Sequence, residues 1–198
     1  MKSLIFSTDM IRAILNTKPD EWPAEPIDPD KPFKCMTRRL SNRMKIKAGD
    51  VLYVKETWNV VDIFSNNSVS IGYKAGGFLS ITSTSNLKKF KKVYGENWKS
   101  PLSMPKEAAR IFLEVKEVRE ERLQDITEKD ALLEGVGSMD MFDLKRLPFS
   151  LIPDKKIRHC SYKASFYELW DSMHGKKPGC AWEDNPMVNV ITFVRRSS

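Results

Sequence analysis

Lys34, Thr37 and Arg39 stand in the order K-x-x-T-x-R within the stretch FKCMTRRL, with Arg38 between them. A threonine hydroxyl becomes a useful nucleophile only when a base takes its proton. A lysine can be that base once its pKa is lowered, and neighbouring cations lower it. Arg38 and Arg39 supply such cations. A carboxyl group acting as general acid or base would complete the set. Glu134 is the candidate, because it precedes Gly135 at the end of the segment ITEKDALLEGV. The negative end of a helix dipole disfavours a carboxylate there, and a raised carboxyl pKa suits proton transfer near neutral pH. The competing reading of these residues is a solvated basic turn and an ordinary glutamate at a helix end.

Several elements must position these groups. LIFS at 4–7 reads as a buried strand, followed by a short helix over 9–16 capped by Thr8 or Asp9. Residues 17–33 carry Pro19, Pro23, Pro26, Pro29 and Pro32 together with five acidic residues. Proline fixes φ and removes a donor, which predicts a stiff surface excursion. KAGDVLYVKETW reads as turn then strand, and VSIGYKA as a second strand entered from Asn66-Asn67. Residues 84–106 read as loop with one helical turn, and 109–123 as a long strand with Ile111, Leu113 and Val115 on one face. Thr127 caps a predicted helix that Gly135 stops, and a short helix is expected over 139–147. The strongest helix signal is 161–175, capped by Ser161, with an apolar stripe of Tyr162, Phe166, Leu169, Trp170 and Met173. A closing strand falls at 187–196. No regular βαβ alternation appears. This order predicts an α+β fold, a small mixed or antiparallel β-barrel with helices packed outside, as one domain over 1–198 with the excursion at 17–33.

The quoted segments KCMTRRL, AGDVLYVKETW and RIFLEVKEVREERLQDITEKDALLEGV, in that order, resemble the ASCH superfamily. The terminal FYELWDSMHGK and WEDNPMVNVITF resemble its phage- and prophage-encoded members. The resemblance covers most of the chain and implies a PUA-like barrel. Within that superfamily, small bacterial N4-acetylcytidine amidohydrolases carry a K-x-x-T-x-R motif and a later glutamate. Matched here, Lys34, Thr37 and Glu134 are implied as catalytic: threonine as nucleophile, lysine as its activator, glutamate handling protons. The implied reaction is hydrolysis of an exocyclic amide on a modified cytosine, with no cofactor. The chain departs from the pattern in its greater length and in its proline-rich excursion, which makes Lys18 a second match for the motif lysine.

Arg38, Arg39, Glu56 and Trp58 are the candidate substrate-binding residues. Trp58 can stack on a base or pack in the barrel. Ser103 and Lys106 lie in a stretch shared with the phage-type relatives, while His159 and His174 read as surface or cap residues. Cys35, Cys160 and Cys180 are too scattered for a disulfide framework or a zinc site. With 41% hydrophobic and 30% charged residues and no long apolar run, the chain reads as soluble and cytoplasmic rather than disordered or membrane-spanning. The net charge of +7 favours a polyanionic partner, RNA before DNA, or a modified nucleoside. The basic runs at 88–92 and 155–158 can track phosphates or simply face water. Three functions are therefore expected to compete: a nucleic-acid or nucleotide reader, an amidohydrolase, and a phage accessory protein that binds a host protein without catalysis.

Overall fold

A computed structural model describes residues 1–28, 31–41, 45–82, 87–95, 97–137 and 162–197. The expected helix over 139–147, the cap at Ser161, His159, Cys160 and the basic run at 155–158 lie outside the described residues. The fold is α+β, with two sheets whose strands pair mostly antiparallel. The chain forms two compact units. The first comprises residues 1–12, 51–114 and 196–198, and the second residues 13–50 and 115–195.

In the first unit, β1 (Lys2–Ile5) pairs in parallel with β3 (Val51–Lys55), and β3 pairs antiparallel with the start of β7 (Phe112–Arg122). A three-stranded antiparallel sheet follows from β4 (Trp58–Ile63), β5 (Ser68–Tyr73) and β6 (Phe78–Thr82). The β4–β5 turn holds Asn67 at φ 63°, which asparagine tolerates better than most residues. Helix α2 (Leu87–Val93) is tied to this sheet by Phe90, which is fully buried and meets the Trp58 ring edge-on at 6.2 Å. The core of this unit is Trp58, Val60, Val69, Ile71, Tyr73, Phe90 and Met104 with their neighbours.

In the second unit, β2 (Met36–Leu40) lies antiparallel to β8 (Met187–Arg195), with Thr37 opposite Ile191. The later part of β7 borders β8. Helix α3 (Glu128–Leu133) starts at Thr127, whose hydroxyl accepts from the Asp130 amide at 3.0 Å, as the capping signal predicts. Helix α4 (Tyr162–His174) packs Phe166 and Trp170 against Trp182 and the β2–β8 face. Tyr162 and Leu169 join that core, but Met173 is exposed and leaves the predicted stripe. Helix α1 (Thr8–Leu15) begins one residue earlier than expected, because the Ser7 hydroxyl, rather than Thr8 or Asp9, accepts from the Met10 amide.

Residues 17–28 form no helix or strand beyond an isolated bridge between Thr17 and Pro26, consistent with their prolines. Strands β2, β4 and β6 carry no clean alternation in sequence, and only their pairing reveals them. Among the described residues, no helix is long and apolar enough to cross a membrane.

Candidate functional site: a buried lysine–glutamate pair

Glu134 is the C-cap of α3, one residue past Leu133, and Gly135 follows it at φ 79°. That left-handed residue ends the helix and turns the chain beside Lys34. The approach is close: a Cβ on Gly135 would lie 2.8 Å from the Lys34 Cβ and 3.0 Å from that of Ala13. Lys34 is held on the other side, its amide donating to the Ala13 carbonyl at 3.0 Å, while the Cys35 amide donates to Leu133 at 3.1 Å. Lys34 and Glu134 thus form a backbone bridge across a hundred residues of chain.

Their side chains meet. Lys34 Nζ donates to Glu134 Oε2 at 2.7 Å and to the Glu134 carbonyl at 2.6 Å. The lysine side chain is 0% exposed and the glutamate 3%. A cation against the last carbonyl of a helix is favourable. Arg38 reaches the same carboxylate from β2, its Nη1 donating to Glu134 Oε1 at 3.3 Å. Its Nη2 donates to Glu121 Oε1 at 2.5 Å and to Asp130 Oδ2 at 2.9 Å, and the guanidinium lies 5.8 Å from the Phe166 ring centre. Arg119 closes the outer edge through Asp130 at 2.8 Å and Glu121 at 3.2 Å. Three carboxylates therefore face three cations, in a gradient from fully buried Lys34 and Arg38 to partly exposed Arg119.

Burial pushes the Lys34 ammonium below the ordinary lysine range; Glu134 opposes this, and nearby Arg39 adds to it. Burial likewise lowers Arg39, opposed by Glu134. Burial pushes the Cys35 thiol up to about 11, so it is a packed thiol and not a nucleophile.

The structure brings together Lys34, Glu134 and Arg38, and sets Arg39 within electrostatic reach of the pair. Thr37 is buried on β2, facing the opposite way from Met36 and Arg38 by strand alternation. The contacts that join Lys34, Arg38 and Glu134 do not include its hydroxyl.

The other candidates fall elsewhere. Arg38 is enclosed by Glu121, Asp130 and Glu134, and braces the last of these. Lys18 pairs with Glu25 at 2.7 Å at a half-exposed position and stays out of the network. In the first unit, Glu56 is bound by Arg110 through two bonds of 2.9 Å, with that guanidinium 4.0 Å from the Tyr73 ring centre. Trp58, expected either to stack on a base or to pack, is 2% exposed with its ring against Phe90 and the core. Ser103 and Lys106 begin or end short 3-10 turns.

Asp130, Glu121 and Arg119 were not legible as site residues. The only signal is that Arg119 and Glu121 are two apart on one strand, and so share a face. Among the described residues, no group of three or more His, Cys, Asp or Glu is arranged to hold a metal ion. No protein-family model, curated protein or solved structure matches the chain.

Proposed function

We propose that the chain is an ASCH-type protein of PUA-like architecture that takes a modified nucleoside or nucleotide at the Lys34–Glu134 site and hydrolyses an N-acyl group from a cytidine-like base. The observation that carries this reading is the fully buried Lys34 side chain held 2.7 Å from the Glu134 carboxyl group. Taking both charges out of water is costly, and a packed apolar pair is often as stable or more so, so stability alone is a weak reason for it. The 2.7 Å hydrogen bond lets a proton pass between Lys34 and Glu134, which supports a general acid–base role for the pair. Lowering of the Lys34 pKa favours the neutral amine; catalysis then requires that the Thr37 hydroxyl, which lies outside the Lys34–Glu134 contacts, turn to this amine when substrate binds. The Thr37 oxygen would then attack the acyl carbon, and the proton held by Lys34 would pass through Glu134, across their 2.7 Å hydrogen bond, to the exocyclic nitrogen as its bond to the acyl carbon breaks. Water would afterwards release the acid from the threonine ester. Arg39 is suited to the developing oxyanion.

A second reading has its own observation. The contacts that join Lys34, Arg38 and Glu134 leave out the Thr37 hydroxyl, which suits a protein that binds the base and does not turn it over.

Incubation with a panel of N-acylated nucleosides, read by chromatography, separates the two. Hydrolysis by the parent, lost by about 10²-fold or more in Thr37→Ala and in Glu134→Gln, supports the enzyme. Full activity of Thr37→Ala on every acylated nucleoside cleaved by the parent refutes the catalytic assignment. Binding of a modified nucleoside without release of acid selects the reader.

A further inference from the structure

The net charge is not spread evenly. The first unit contains twelve Lys and Arg against six Asp and Glu, whereas the second contains 21 against 20. The first unit alone thus holds +6 of the chain's +7. Much of the excess sits on α2, whose sequence LKKFKKV turns Leu87, Phe90 and Val93 to the core. Lys88, Lys89, Lys91 and Lys92 occupy the rest of its circumference, all exposed.

Beside that helix lies a depression of about 550 Å³ lined by Ile63, Phe64, Ser65, Asn67, Lys91 and Tyr94. Two of its walls are aromatic rings left open to water: Phe64 is 46% exposed and Tyr94 55%. Tyr94 is fixed from below by a backbone bridge to Val60, and Phe64 by the turn in which its amide donates to Ser68 at 2.9 Å. Rigid backbones carrying exposed rings, next to four lysines, combine the two parts of a single-strand site: a π-face for a base and cations for its phosphates.

We infer that the α2 face of the first unit docks single-stranded nucleic acid, with a base stacked at Phe64 and Tyr94 and the backbone tracked by Lys88, Lys89, Lys91 and Lys92. Charge complementarity selects this occupant over a protein, because lysine is depleted at protein interfaces. The unstacked base that the rings require selects a single strand over a duplex. The inference is independent of the amide chemistry proposed for the second unit.

The test is fluorescence anisotropy with a labelled oligouridylate of about 20 nucleotides, longer than the ~4–16 that one small fold covers. The parent should bind at low salt, more tightly than it binds a duplex of equal length. Its log–log salt slope should fall by about 0.7 for each lysine removed in the combined Lys88→Gln, Lys89→Gln, Lys91→Gln, Lys92→Gln variant. Tyr94→Ala should weaken binding by roughly 5- to 150-fold, with Phe64→Ala as a second variant should the first fail to fold. No binding at low salt, an unchanged slope in the lysine variant, or unchanged affinity in folded Tyr94→Ala and Phe64→Ala would overturn the inference.

Discussion

Glu134→Gln is the perturbation that the buried network answers most sharply. Glu134 accepts from Lys34 at 2.7 Å and from Arg38 at 3.3 Å, and neither cation has an exposed side chain. The amide keeps the shape and one acceptor oxygen, but it withdraws the charge. Removing one partner of a buried pair costs about 3–5 kcal/mol. Here the lower end applies, since Lys34 retains the Glu134 carbonyl at 2.6 Å and Arg38 retains Glu121 and Asp130. A loss of about 3 kcal/mol at a slope near 2 kcal/mol/M in urea moves the midpoint down by about 1.5 M. Lys34→Met alone should also destabilise, because Glu134 then keeps only the longer Arg38 contact. The double variant removes both charges of the pair while Arg38 keeps Glu121 and Asp130, and should recover to within about 1 kcal/mol of the parent. The assay is urea unfolding followed through the indole N–H signals of Trp170 and Trp182, both in the core of the second unit. A midpoint shift below about 0.3 M for Glu134→Gln, or a double variant as damaged as the two single losses added, would show that the pair is solvated and refute the reasoning.

Two further outcomes follow from neighbouring groups. The Cys35 thiol ionises near 9.0 when exposed but at about 11 when folded, so its contribution is complete below pH 9 and is lost as pH rises towards 11. Urea midpoints across that range should show the parent losing on the order of 2–3 kcal/mol relative to Cys35→Ala, whereas parallel curves would contradict the assigned burial. Gly135→Ala should cost about 2–4 kcal/mol, combining left-handed strain with overpacking against Lys34 and Ala13, while Gly49→Ala, at φ 84° with nothing within 4 Å, should cost only about 1–2. Equal thermal midpoints for the two glycine variants would remove the argument that Gly135 sets the approach of α3 to Lys34.

Local signals account for what was readable. Thr127 and Gly135 bounded α3 because capping and left-handed termination act within one turn of helix. The apolar stripe of α4 was readable for the same reason, except at Met173, where helical spacing does not say how wide the buried face is. Strand β8 reads as alternating, but all but its ends and Asn189 are buried, because it is covered on both sides. The basic turn of Lys34 to Arg39 proved to be an entry into a strand, and that strand has no pattern of its own apart from its pairing with β8.

By itself, the sequence determined the α+β class, both ends of α3, the irregular backbone of the proline-rich residues 17–28 and the excess of positive charge. These depend on backbone chemistry and composition within a few residues. Only the tertiary structure decided that Lys34 and Glu134 touch, that three carboxylates enclose Arg38, that Trp58 faces a core, and that the charge gathers in the first unit. Those outcomes rest on pairings between segments distant in the chain, and on which face of each element finds a partner, quantities that no local pattern of residues encodes.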